Sequence, residues 1–262
     1  MSGEALVDLA VRAARAAGAV LLERSGHAGR VDVKTSATDP VSDADRASEA
    51  LLIETILGER PDDGLLGEEG ARRRSGSGLR WVIDPLDGTV NYLYRHPGWA
   101  VSVGCEEHGE DGRWRTLVGV VHNPLAGETF RAFRGAGAWL GERRLRINDP
   151  VPVAQALVAT GFSYVPEVRR RQGATVAALL PQVRDIRRVG SASLDLCSLA
   201  AGRVDAYYEE SLFRWDWAAG ALIAAEAGAV VDPLPPLEGE PGVIVVAAGP
   251  FLHSLLRALL SR

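Results

Sequence analysis

Two cysteines, no tract of basic residues and no long uninterrupted apolar run set the first limits on this chain of 262 residues. Cys105 and Cys197 sit inside the apolar stretches VSVGC and LDLCSLA. They read as small buried hydrophobes in a reducing compartment, with a single disulfide between them left open. With 29 Lys and Arg against 34 Asp and Glu, a net charge of −5, the electrostatic footprint of a nucleic-acid binder is missing. The runs Arg72-Arg73-Arg74 and Arg169-Arg170-Arg171 are short and read as solvated surface that could touch phosphate. The most apolar long stretch, WAAGALIAAEAGAVV, is interrupted by Glu226, so no membrane span is expected. Glu4, Asp8, Arg12 and Arg15 break any apolar leader, which argues for a cytoplasmic location. Internal repeats and low-complexity segments are also missing.

What is present is an ordinary globular composition, 47% hydrophobic and 24% charged, enough for one large domain or two closely packed ones. Leu6, Leu9, Ala13, Ala17 and Val20 predict a helix over residues 4–24. A short extended piece, RVDVKTS, precedes a second helix starting at Ser42 and stopped before Gly58 and Pro61. RWVID, AVSVGCEE, WRTLVGVVHNP, ETFRAFRG and AWLGERRL then read as an antiparallel meander. From about residue 150 strand-like and helix-like segments alternate, as in a sheet covered by helices. A boundary at NDPVP divides an N-terminal α+β unit, 1–149, carrying most of the candidate ligands, from a C-terminal α/β unit, 150–262.

The chemistry lies in the carboxylates. Asp39, Asp43 and Asp45 fall in TDPVSDAD, Glu68 and Glu69 in LLGEEG, Asp84 and Asp87 in WVIDPLDGTVNY, and Asp216 in RWDWAAG. Singly, most have a plain reading: Asp45 in a capping box with Ser42, Asp43 in a first helical turn, Glu68-Glu69 in a solvated loop, Asp216 at an N-cap. Asp84 and Asp87 resist this. Two carboxylates in one tight turn after a buried strand repel each other unless a cation lies between them. Pro85 fixes its own φ and Gly88 frees the backbone, so the turn has a defined shape. If GTVNY opens a helix, the N–H groups of Gly88 and Thr89 suit a phosphate. All-oxygen donors point to a hard cation, Mg²⁺ before Zn²⁺. The D-x-D-G-T of haloacid-dehalogenase phosphatases does not match, because two residues separate Asp84 from Asp87.

TDPVSDAD, GEEG, WVIDPLDGTVNY, RVGSASLDLC, AGRVDAYYE and WDWAAGALIAAEAG, in that order, give the chain a resemblance to the inositol monophosphatase family of Mg²⁺-dependent, lithium-sensitive sugar phosphatases. The resemblance implies a layered αβαβα sandwich of the α+β or α/β class, usually a homodimer. It implies two or three Mg²⁺ per site, held by Glu68, Asp84, the carbonyl of Leu86, Asp87 and Asp216, with Asp84 bridging. Asp45, Thr89 and Glu68 would orient and deprotonate the attacking water, giving hydrolysis without a phosphoenzyme. Gly88 and Thr89 would bind phosphate, and Gly190, Ser191, Ala192 and Glu209 the sugar ring. The expected substrate is a small phosphorylated polyol, inositol 1-phosphate. Histidinol phosphate, fructose 1,6-bisphosphate and 3′-phosphoadenosine 5′-phosphate are the alternatives within the same chemistry. A regulatory binding protein associated with the transcription machinery is the alternative from another class. No nucleic-acid or membrane partner is expected.

Departures from the family pattern are Ser42 for Thr, Leu86 for Ile, and Trp217 for an aliphatic residue, the last expected to reshape the pocket wall. Asp43 has no assignable role. His96 and His122 stand in HP and HNP turns and read as loop residues; the tryptophans read as core or pocket wall, Trp81 and Trp99 lying in strand-like runs, and Asn91 as a support of the DGT turn. Arg187-Arg188 reads equally as a phosphate neutraliser or a dimer contact.

Overall fold

The computed structural model describes residues 3–25, 31–33, 40–236 and 241–260. Leu6, Leu9, Ala13 and Ala17 fall on the buried side of α1 (Gly3–Arg24), the outcome their spacing predicts. β1 (Val31–Val33) and β2 (Pro40–Ser42) pair antiparallel before α2 (Asp43–Glu59). Ser42, read as the helix start, closes β2 instead, the extended backbone that an N-cap position takes. The hydroxyl cap expected of it, and Asp39, lie outside the described residues.

The first sheet comprises β3 (Gly64–Gly67), β4 (Arg72–Arg73), β5 (Leu79–Asp87), β6 (Ala100–His108), β7 (Trp114–Asn123), β8 (Glu128–Phe133), β9 (Gly137–Leu140) and β10 (Arg143–Arg144), with α3 (Thr89–Leu93) between β5 and β6. Its order among the described residues is β10-β9-β8-β7-β6-β5-β3-β4. β5 to β10 form the expected antiparallel meander; β3 adds parallel to β5, and β4 is an edge strand.

The remaining elements are β11 (Leu157–Thr160), α4 (Pro166–Leu179), β12 (Asp185–Arg187), α5 (Ala192–Ala200), β13 (Ala206–Leu212), α6 (Arg214–Glu226), β14 (Val230–Leu234), β15 (Val243–Ala248) and α7 (Pro250–Leu260). The second sheet runs β12-β11-β13-β15-β14, with β11 parallel to β12 and β13, and β15 antiparallel to β13 and β14. β13 and β14 are additions to the expected alternation.

Helix and sheet layers alternate as αβαβα. α1 and α2 cover one face of the first sheet, where Leu9, Leu52 and Ile56 meet Trp81, Val103 and Val118. The other face, with Ala100, Val121 and Ala132, packs on Cys197 of α5 and on Ala219 and Ile223 of α6. The far sides of these two helices, Leu196, Leu199 and Ala224, meet Tyr207, Val245 and Ala247 of the second sheet. α4 and α7 close the stack, Leu179, Leu252 and Leu256 packing on Val158, Tyr208 and Val246. β13 shows the strand alternation: Tyr207 faces the middle helices, and Ala206 and Tyr208 face outward. Trp81 and Trp99 are fully buried, and both cysteines are buried and free. No described helix is long and apolar enough to cross a membrane.

The small residues of α6 have a packing reason. Its backbone approaches the first sheet so closely that a β-carbon at Gly119 would lie 2.5 Å from the carbonyl oxygen of Ala219. Gly119→Ala should therefore force helix and sheet apart and destabilise the fold by about 1–3 kcal/mol. Gly58, near the end of α2, has no atom within 4 Å of a built β-carbon. Gly58→Ala should raise stability by about 0.5–1 kcal/mol. Urea denaturation of the two variants reads both signs, and equal effects would refute the close-approach argument.

Candidate active site

The site begins where β5 ends. The pairing of β5 with β6 breaks register between Asp84 and Asp87, so the chain bulges at Pro85-Leu86. Ser48 of α2 donates to the Pro85 carbonyl at 2.8 Å, and the Leu86 N–H donates to Asp84 Oδ1 at 3.0 Å. Gly88 follows with φ +97°, and a β-carbon there would meet the Gly98 carbonyl at 2.9 Å. Only glycine satisfies both conditions. α3 then opens at Thr89. Its hydroxyl lies 3.0 Å from Asp45 Oδ1 and 3.2 Å from the Leu86 carbonyl, with one proton to donate between them. Asn91 supports the turn from behind, its Nδ2 donating to the carbonyls of Gly98 (2.7 Å) and Val189 (2.9 Å).

Glu68, Asp84, Leu86, Asp87, Gly88, Thr89 and Asp216 line one cavity of about 550 Å³. Asp84 and Asp87 come from β5, Glu68 from the turn after β3, and Asp216 from the first turn of α6. Burial pushes the Asp84 carboxyl well above the carboxylate range, and Glu68, Asp87 and Asp216 push it further; it also hydrogen-bonds Glu68. Asp216 is raised well above its ordinary value by burial, then by Glu68 and Asp87. Burial raises Asp87 too, against the pull of its hydrogen bonds from Ser191 Oγ (2.6 Å), Ser193 Oγ (2.6 Å) and Ser193 N–H (2.8 Å). Asp216 accepts from the Phe213 N–H at 2.7 Å, and so ties down the start of its own helix.

Buried carboxyls gathered in one cavity, Asp84 and Asp216 raised by burial and by their carboxylate neighbours, are the setting in which a hard cation restores the charged forms. The all-oxygen donor set fits Mg²⁺. As the side chains stand, no three His, Cys, Asp or Glu among the described residues are spaced to hold one ion. Their electrostatic coupling, rather than a closed cage, identifies the site.

Gly190, Ala192, Glu209 and Arg188 line the same cavity, where a β-carbon on Gly88 would lie 3.2 Å from the Gly190 carbonyl and the Ala192 N–H reaches Asp87. Glu209 follows Tyr207, whose hydroxyl donates to it at 2.9 Å, and its surface faces the cavity rather than bulk water. Burial pushes its carboxyl up to about 7. Ser191, expected among the ring contacts, is buried. Its hydroxyl is used by Asp87 and accepts the Leu194 N–H at the start of α5, so it positions a carboxylate instead. Of the arginine pair, Arg188 reaches the cavity, whereas Arg187 pairs with Asp185 at 2.5 Å. Trp217 is not on the wall: it packs beneath the Arg214 guanidinium, 4.0 Å away, and Trp215 lines the cavity in its place. His96 is an exposed loop residue as expected. His122 is not; it lies buried in β7, its Nδ1 3.0 Å from Thr129 Oγ1.

Two features escaped the sequence reading. Asp195, inside the quoted RVGSASLDLC, is buried on α5, and its carboxyl is raised well above the usual range by burial, Glu209 and Asp87. Glu106, fully buried in β6, accepts from Arg80 Nε (2.7 Å) and Arg214 Nε (2.6 Å). Arg214 begins α6, two residues before Asp216, so this bridge fastens the start of α6 to the first sheet. Only residue identity could have hinted at it, because the partners stand 108 positions apart.

Glu106→Ala leaves two guanidiniums without their carboxylate, and should destabilise by about 2–4 kcal/mol, the low side of a broken buried pair because both arginines keep some solvent contact. Glu106→Gln should lose less; equal losses in urea denaturation would count against the charge argument. Glu209 sets a pH dependence. Its native value near 7 lies above the ordinary 4.5, so the native state binds the extra proton between them and stability falls as pH rises through that window. Relative to Glu209→Gln, the wild type should lose up to about 3 kcal/mol from pH 4.5 to 8, measured with chelator present. Parallel pH profiles would refute the assignment.

A sequence model of the inositol monophosphatase family matches residues 3–260. A Mycobacterium tuberculosis protein named inositol-1-monophosphatase SuhB is 44% identical over 243 residues, covering 89% of this chain and 82% of its own length. A Pasteurella multocida protein named Nus factor SuhB is 42% identical over 231 residues, covering 86% and 84%. The crystal structure of extragenic suppressor protein suhB from Bartonella henselae superposes with a TM-score of 0.90 at 33% identity, covering 98% of this chain and 99% of that one. With the family match spanning nearly every residue and the same layered fold in a solved relative, the chain belongs to the inositol monophosphatase family.

Proposed function

We propose that this chain is a Mg²⁺-dependent phosphatase that hydrolyses inositol 1-phosphate to inositol and phosphate. The observation that carries the reading is the Thr89–Asp45 hydrogen bond at the edge of the four-carboxylate cavity. Glu68, Asp84, Asp87, Asp216 and the Leu86 carbonyl would hold the metal, which when bound supplies Lewis acidity towards the phosphoryl oxygens and towards water.

The chain's own groups then divide the work. The Thr89 hydroxyl, donating to the buried Asp45 carboxylate, is left with its lone pairs facing an attacking water and can take that proton as it passes its own to Asp45. Glu68 orients the same water. The first N–H groups of α3, at Gly88 and Thr89, have no partner within the helix and line the cavity, which suits them to phosphate oxygens. Gly190, Ala192 and Glu209 face the alcohol half, where Glu209 can hydrogen-bond ring hydroxyls while Tyr207 fixes its rotamer. In-line displacement by water, with positioning and electrostatics providing the acceleration, needs no covalent intermediate. The name of the M. tuberculosis relative supports the inositol ester as substrate.

Phosphate release from myo-inositol 1-phosphate tests the reading, with histidinol phosphate, fructose 1,6-bisphosphate and 3′-phosphoadenosine 5′-phosphate beside it. The inositol ester should be the best substrate, and chelator should abolish turnover. Thr89→Val should lower kcat about 10²–10⁴-fold with Thr89→Ser largely active. Chelator-resistant turnover, or an unaffected Thr89→Val, would remove the proposal. The name of the Pasteurella relative favours a second reading, association with the transcription machinery. Asp84→Asn should abolish hydrolysis and leave such an association intact; loss of both together would tie the two roles to one site.

A further inference from the structure

The arginine run 72–74 is not plain surface. It borders a second hollow of about 620 Å³, to which Arg80, His108 and Trp114 also contribute. Arg80 lies four residues before Asp84 on β5, so the hollow sits about 13 Å from the carboxylates at the opposite end of the strand. No Asp or Glu lines it, although the chain carries a net charge of −5. Four arginines thus border one concavity of an acidic protein, and two of them, Arg72 and Arg74, pair with no carboxylate among the described residues.

Protection of an edge strand explains only part of this. Arginines on the edge strand β4 discourage pairing with another chain, which accounts for Arg72 and Arg73. It does not account for Arg80, His108 and Trp114, which come from β5, β6 and β7, nor for Arg74, just past the end of β4. The aromatic part is already fixed in place. The Arg80 guanidinium is held by Glu106 at 2.7 Å and lies 4.3 Å over the Trp114 ring, and His108 packs edge-on against the same ring at 4.9 Å. Arg73 is turned to the Pro61 carbonyl. Arg72 and Arg74 are exposed and pair with no carboxylate among the described residues.

Leu65, Leu66 and the indole give the hollow an apolar floor beneath a cationic rim. Guanidinium forks match phosphate oxygens, and guanidinium and indole surfaces accept a flat ring. One molecule that carries both parts is a nucleotide; polyol phosphates lack the ring. We propose that this hollow binds a nucleoside polyphosphate, with the phosphates on Arg72 and Arg74 and the base against the Arg80–Trp114–His108 layer. The proposal is independent of the phosphatase reading.

Calorimetric titration of the full chain in Mg²⁺ buffer tests it, with ATP, adenosine and tripolyphosphate as probes. ATP should bind wild type and Asp84→Asn alike, weaken with added salt, and lose about ten-fold or more in Arg72→Ser/Arg74→Ser and in Trp114→Leu. The arginine double variant, changed only at exposed positions, should keep its thermal midpoint and its phosphatase activity. Adenosine should not bind, and tripolyphosphate should bind at least about ten-fold more weakly than ATP. Three results would overturn the proposal: no ATP binding by the wild type, tripolyphosphate equal to ATP, or ATP binding lost in Asp84→Asn but kept in the arginine variant.

Discussion

The confinement of Glu68, Asp84, Asp87 and Asp216 within one cavity is the constraint on which the rest of this structure depends. Like charges at close range are unfavourable, and burial makes them more so. Three of them have a separate support: Asp84 from the Leu86 N–H, Asp87 from two serines of the α5 start, Asp216 from the Phe213 N–H. Neutral donors hold the carboxyls in place without neutralising them. The carboxyl oxygens therefore stay directed into the cavity, where a cation can restore their charge.

The layer order follows from the same requirement. β5 delivers two of the carboxylates and stops; the others must come from elements that reach its end. α5 and α6, sandwiched between the sheets, both start there. Helix N-termini favour anions, and the Ser193 N–H of α5 donates directly to Asp87 while Asp216 occupies the first turn of α6. Close packing holds these starts in register with β5. Gly119 admits the backbone of α6, and a β-carbon at Gly220 would meet Leu196 of α5 at 2.9 Å. The Glu106 bridge adds a charged fastening at the first residue of α6. Small residues in WDWAAGALIAAEAG thus serve the site as much as the core.

What could be read from the sequence was whatever is encoded locally. DPLDGT carries its own turn, through Pro85 and Gly88, and so its two carboxylates and the opening of α3 were legible. The antiparallel meander was legible because each strand is joined to the next by turn residues. Side-chain direction across long separations was not. Ser191 looks like a pocket residue until Asp87, 104 positions away, takes its hydroxyl. Trp217 and Trp215 alternate in WDW, and only the packing of α6 decides which faces the cavity. Asp195 is one acidic letter in a helical segment, and its place beside Glu209 depends on β13, an element separate from its own helix.

The two walls of the cavity are built by different parts of the fold. The carboxylate wall comes from β3, β5 and the start of α6, each locked by backbone hydrogen bonds. The second wall comes from β13, where Glu209 pairs with Val245 just before a register break, and from the segment between β12 and α5 that carries Arg188 and Gly190. A phosphate presents the same geometry whatever alcohol it esterifies, so the first wall can stay rigid. Discrimination among alcohols needs shape and hydroxyl partners, and on the proposed reading these fall to the second wall, where Glu209 stands. On that reading the fold separates the part of the reaction that all phosphate esters share from the part that distinguishes one ester from another.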